Sequence, residues 1–108
     1  MNDWDSLCGL VARWANDRNI IRGSDAIAQL SKTLEECGEL LAALNQYYCG
    51  RPALDDVIDA YGDILVTLLI GMEQVNVTPV ECLSAAYDEI KDRKGKMVNG
   101  VFTKEDKP

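Results

Sequence analysis

The stretch DAIAQLSKTLEECGELLAALNQYY, residues 25–48, decides the fold. Ile27, Leu30, Leu34, Cys37, Leu41, Leu44 and Tyr48 recur at alternating steps of three and four. That is the spacing of one face of an α-helix, here a narrow apolar seam suited to packing on other helices. Ser24 or Asp25 stands where an N-cap belongs, so the pattern predicts a helix over about 25–48.

The same period continues on both sides. Trp4, Leu7, Leu10, Val11 and Trp14 mark a helix over about 3–17, which residues 19–23 interrupt. After the loop Cys49-Gly50-Arg51-Pro52, the residues Ile58, Tyr61, Leu65, Leu68, Leu69 and Met72 mark a helix over about 55–75. Its second half is apolar nearly all round, which suits burial between helices or between subunits. Thr78-Pro79-Val80-Glu81 sets an N-cap, a first-turn proline and a capping-box glutamate in order. It predicts a helix over about 79–92 that buries Cys82, Leu83, Ala86, Tyr87 and Ile90. Residues 93–108 hold Gly95 and Asn99-Gly100 and are expected to form a turn-rich basic tail. The expectation is one all-α, four-helix bundle-like domain over 1–108, with neither repeat nor linker.

Composition narrows the function. A chain of 108 residues has no room for a second core, and a thin core argues for a homo-oligomer. Eighteen acids against eleven Lys and Arg give a net charge of −7, a field that repels nucleic acid. No apolar run approaches the roughly 18 residues of a membrane span, and no secretory signal is visible at the N-terminus. The expectation is a cytoplasmic protein without nucleic-acid or membrane partners. Histidine is absent, which excludes a Ser-His-Asp triad, histidine-ligated zinc and a Glu-x-x-His di-iron site. Cys8, Cys37, Cys49 and Cys82 are scattered without a Cys-x-x-Cys pair and read as reduced thiols. Catalysis must then use carboxylates, lysine, arginine, tyrosine or a metal.

Two carboxylate faces carry that chemistry. At about 100° per residue, Lys32, Glu36 and Glu39 fall within about 60° of one another, opposite Leu34. Asp56, Asp59 and Asp63 do the same on the next helix, facing away from Leu65. Each stripe has a plain reading as the wet side of an amphipathic helix. Against it, two oxygen-only clusters on helices joined by a short loop suit magnesium, manganese or calcium, and metal-bound phosphate follows. Residues 91–108 carry six Lys and Arg against three acids, so the first ninety carry −10. The basic end has the charge a phosphate needs.

Lys32-Thr-Leu-Glu35-Glu36-Cys-Gly-Glu39-Leu, followed by Asp59-Ala-Tyr-Gly-Asp63-Ile-Leu-Val, resembles the MazG-like all-α nucleoside triphosphate pyrophosphohydrolases. The family pattern is Glu-x-x-Glu on one helix and Glu-x-x-Asp on the next. The likeness covers about residues 25–95, and the tail from Arg93 to Phe102 looks like that of small phage-type members. Glu36 and Glu39 match the first pair and Asp63 the final aspartate. Ala60 stands where the pattern has its second glutamate. Asp59, one residue earlier, shares a face with Asp63.

The resemblance implies hydrolysis of a (deoxy)nucleoside triphosphate to nucleoside monophosphate and pyrophosphate, with Mg2+ (or Mn2+) as cofactor. Glu36, Glu39, Asp59 and Asp63 would hold the metal, and Glu35 or a ligating carboxylate would orient or deprotonate the attacking water. Lys32, Lys91, Arg93 and Lys94 would neutralise the triphosphate, Lys96 less directly. Trp14 is the best-placed aromatic for stacking on a base, and Asn99 a polar contact. The family's members are dimers or tetramers with sites near subunit contacts, which implies an obligate homo-oligomer here. Two rivals stand beside this reading: a nucleotide or metal sensor on the same fold, and an acidic helical adaptor.

Overall fold

A computed structural model describes residues 3–105. Met1 and Asn2 of the N-terminal segment, and Asp106 and Lys107 of the expected basic tail, lie outside the described residues. The elements in chain order are α1 (Trp4–Asp17), α2 (Ile20–Gly23), α3 (Ala26–Tyr48), α4 (Leu54–Gln74), α5 (Pro79–Ile90), β1 (Gly95–Val98) and β2 (Val101–Lys104). The chain is mostly helical. Its internal packing divides it into two compact units, one through Thr78 and one from Pro79.

In the first unit the helix starts follow from local chemistry. Asp3 accepts from the Ser6 N–H at 2.8 Å and Asp25 from the Ala28 N–H at 2.8 Å. Each cap satisfies a backbone donor that the helix itself leaves unpaired, and its charge suits the positive helix end. The hydrogen bonds from Ser6 hold the Asp3 carboxyl below the usual carboxylate range. The interruption at 19–23 contains a one-turn helix, entered through Asn19 at φ 60°. Gln74 clamps that turn to the end of α4, its Nε2 donating to the carbonyls of Ile20 and Ile21 at 3.3 Å each.

The α3 and α4 helices form an antiparallel pair. Thr33 and Thr67 meet across it with their hydroxyls 2.7 Å apart, and Gly71 lies against Gln29. Along α3 the positions turned to α4 are Gln29, Thr33, Glu36, Leu40 and Ala43, all buried or half-buried. This corrects the expectation for the seam. Ile27 is 79% exposed and Leu34 66%, and Leu30, Leu41 and Tyr48 are exposed too. The seam is rotated by roughly 100° from the contact line, because the hydroxyl contact of Thr33 with Thr67 and the small Ala43 and Ala60 set that line. On α4 the buried positions are Val57, Ala60, Thr67 and Ile70, whereas Ile58, Tyr61, Leu65 and Leu68 are exposed. Among the described residues no large side chain is fully buried.

The second unit differs from expectation in two ways. Every residue of α5 from Glu81 to Ile90 is exposed, including Leu83 and Tyr87, which were expected to be buried. The turn-rich tail is instead a β-hairpin, pairing Gly95 with Lys104 and Val98 with Val101. Asn99 at φ 51° and Gly100 at φ 82° make the two-residue turn. Two successive positive φ values give the twist of a type I′ hairpin, which Asn-Gly adopts most readily.

Candidate metal centre

The antiparallel pairing sets the level of each carboxylate. Each step forward on α3 is one step back on α4. With Thr33 facing Thr67, Glu36 comes level with Ile64, and Asp63 stands beside it. One carboxylate oxygen from each of Glu36, Glu39 and Asp63 lies within 4.8 Å of the others. The motif residues from two separate helices therefore converge at one place.

Their environments differ. Glu36 is on the contact line and only 8% exposed; Glu39 and Asp63 are exposed at its rim. Glu36 Oε1 lies 3.6 Å from the Lys32 ammonium, while Oε2 is enclosed and has no hydrogen-bond partner. The Glu36 carboxyl titrates above its ordinary value. A shared hydrogen bond with Glu39 is the largest cause, then burial, then the Glu39 charge, with Lys32 opposing all three. With both groups ionised, no proton lies between them and Oε2 has no donor. A proton or a cation supplies what is lacking. The donor set is all oxygen, which fits a hard divalent cation such as magnesium, manganese or calcium.

Lys32 is shared, since Glu35 Oε2 also lies 3.6 Å from its Nζ. The charges of Glu35 first, then Glu36, raise the Lys32 pKa, so it stays a cation at the site. Glu35 itself is exposed and outside the converging trio.

Asp59 is exposed and is not one of the three. It lies one turn from Asp63, turned further from α3. Ala60 is the residue that faces α3, 5% exposed. A methyl group thus occupies the position from which a fourth carboxylate would reach inward.

Of the other expected residues, Trp14 is 45% exposed, with the Arg18 guanidinium 4.6 Å over its ring. In the second unit Lys91 pairs with Asp88 at 3.5 Å. Arg93 and Lys94 are exposed between α5 and the hairpin, and Asn99 forms the turn. Sequence reasoning missed the Thr33–Thr67 hydroxyl pair. The only cue for it was a lone threonine on each helix, amid larger apolar residues.

No family model matches the chain, and no solved structure matches it. It is similar to a protein of Haemophilus phage HP1 (strain HP1c1), described as an uncharacterized 18.2 kDa protein in the rep-hol intergenic region. The two are 31% identical over 80 residues, covering 74% of this chain and 46% of the phage protein. The chain therefore spans about half the length of that relative.

Proposed function

We propose that this chain is a magnesium-dependent hydrolase that cleaves nucleoside or deoxynucleoside triphosphates to nucleoside monophosphate and pyrophosphate. The observation that carries the reading is the convergence of Glu36, Glu39 and Asp63 around an enclosed, unpartnered Glu36 Oε2. An adaptor with a solvated acidic stripe has no use for a buried carboxylate.

Glu36, Glu39 and Asp63 would hold the metal. When bound, the ion supplies Lewis-acid stabilisation of phosphate charge and a more acidic attacking water. The chain's own groups do the rest. In the hydrolysis, water oxygen bonds to the α-phosphorus, the bond from that phosphorus to the α–β bridging oxygen breaks, and pyrophosphate leaves. With no histidine in the chain, Glu35 or one of the ligating carboxylates would accept the proton of that water. Glu35 positions Lys32, whose ammonium offsets phosphate charge beside the trio. Lys91, Arg93 and Lys94 carry charge of the same useful sign. Trp14 presents a partly open ring for stacking.

A second reading draws on one specific feature. Ala60 removes the inward-facing fourth carboxylate, and a site with three suits binding of metal and triphosphate without turnover, as in a sensor. One experiment tests both: pyrophosphate release from a panel of ribo- and deoxynucleoside triphosphates with magnesium, with chelator, and with Glu39→Gln. Metal-dependent release lost in the variant supports the hydrolase. Magnesium-dependent binding without release supports the sensor, and neither binding nor release defeats both.

A further inference from the structure

The α3–α4 pair has two flanks, divided by a single step of the chain. On the contact line Thr33, Glu36 and Leu40 are followed by Leu34, Cys37 and Leu41, and preceded by Lys32, Glu35 and Glu39. On α4, Ala60 and Ile64 are preceded by Asp59 and Asp63. In an antiparallel pair, one step back from the contact line turns both helices toward the same flank. On that flank Lys32 is a cation among carboxylates.

The Lys32 ammonium is held from two sides. Its Nζ lies 3.6 Å from Glu36 Oε1 and 3.6 Å from Glu35 Oε2. The two oxygens of Glu36 therefore have different surroundings. Oε1 faces a cation, whereas Oε2 is enclosed and without a partner, on a residue only 8% exposed. One oxygen is already neutralised and the other still lacks a cation or a donor.

We infer that Lys32 is a built-in second cation of this centre: it occupies Glu36 Oε1, leaves Oε2 to a divalent ion, and limits the nucleotide-free centre to one such ion per chain. The inference rests on the metal-binding reading above and fixes its stoichiometry. Two-metal hydrolases hold their ions about 3.5–4 Å apart, a spacing at which the two oxygens of one carboxylate can each serve an ion. Glu36 is the buried carboxylate that would have to do so here, and the Lys32 ammonium stands at one of its oxygens. Charge gives the same count. Glu36, Glu39 and Asp63 together with Lys32 carry two net negative charges, which a single divalent ion balances. Glu35 lies outside the trio with its side chain 71% exposed, where water weakens its pull on an ion. The flank also offers no second cage. Among the described residues Glu36, Glu39 and Asp63 form the only converging group of three potential ligands. Asp59 is not in it, and Ala60 presents a methyl group where a further carboxylate would reach inward.

The test counts Mn2+ bound per chain, from the electron paramagnetic resonance signal of the free ion. It uses the whole nucleotide-free chain and its variants Lys32→Arg, Lys32→Glu and Glu39→Gln. Expected are one ion in the wild type and one in Lys32→Arg, which keeps the charge. Lys32→Glu, which replaces the cation beside Oε1 with a ligand, should bind two, and Glu39→Gln should bind its ion more weakly than the wild type. Two ions in the wild type, or a single ion in folded Lys32→Glu, overturn the inference and leave the metal centre standing. No Mn2+ bound by the wild type, or binding unaltered in Glu39→Gln, defeats the metal reading itself and the inference with it.

Discussion

The Thr33 and Thr67 hydroxyls lie 2.7 Å apart in the buried contact between α3 and α4, and each also reaches a carbonyl of its own helix. Thr33 Oγ1 donates to the Gln29 carbonyl at 2.9 Å, and Thr67 Oγ1 approaches that of Ile64 at 3.0 Å. Each hydroxyl has one hydrogen, so the two share a limited supply of protons. Replacing Thr67 by Val is expected to cost about 1 kcal/mol, because one acceptor loses its donor. The double change to Val is expected to cost less than the two singles together, since no polar group is then stranded. Urea unfolding of the three variants checks this, and additive losses would contradict it.

On the proposed reading, magnesium held by the carboxylate trio would stabilise the fold. Magnesium should raise the melting temperature of the wild type, as any ligand bound only to the native state does. Glu39→Gln is expected to weaken magnesium binding by at least about 10–100-fold, the loss typical of removing even an outer-shell partner. Titration of the melting temperature with magnesium gives both affinities.

Acidity acts on the same pair. In metal-free protein the Glu36 carboxyl titrates above its ordinary value, chiefly through the proton it shares with Glu39. The folded chain therefore binds that proton more tightly than the unfolded one. This contribution to stability is full below the ordinary carboxyl range and is lost as pH rises through the raised value. Melting in chelator should show that decline, and Glu36→Gln should flatten it. A decline unchanged in the variant would mean other groups cause it.

Ala60 offers a gain-of-function test. Ala60→Glu adds a fourth carboxylate on the α3-facing side, where its charge is opposed by Glu36 and Glu39. The variant is expected to be less stable than wild type in chelator and to gain more stability from magnesium. Melting curves with and without the ion measure both. Greater stability in chelator would show that position 60 does not face the trio.

Gly95 and the hairpin give a prediction in the second unit. A Cβ at Gly95 would collide with the Thr103 carbonyl oxygen and the edge of the Phe102 ring. Overpacking of this kind costs about 1–3 kcal/mol, more than a two-stranded hairpin can absorb. Gly95→Ala should erase strand-type chemical shifts over residues 95–104. Retained shifts would mean the strands can separate enough to admit a methyl.

The helices were legible because their apolar steps of three and four are a local signal, as are Asp25 and its cap. The contact line between them was not. Periodicity identifies the most apolar stripe, and here that stripe is Leu34 and its neighbours. The actual contact runs through Thr33, Glu36 and Ala43, fixed by partners on α4 such as Thr67. The motif residues Glu36, Glu39 and Asp63 could be named from sequence, but not the difference between a buried Glu36 and an open Glu39. That difference arises only when α4 is laid beside α3. The hairpin was readable in principle from Asn99-Gly100 between Lys96-Met-Val98 and Val101-Phe-Thr103.

The one-step offset along α3 also bears on how such a gene can change. Thr33, Leu34, Glu36, Cys37, Glu39, Leu40 and Leu41 interleave three assignments within nine residues. Losing or gaining one codon there would turn everything downstream by about 100°. Apolar side chains would then swing onto the packing line and carboxylates out of register with Asp63. Point substitutions can be absorbed one flank at a time, whereas a change of length strikes all of them together. In any collection of variants, this stretch should accept substitutions away from Glu36 and Glu39 and almost no insertions or deletions.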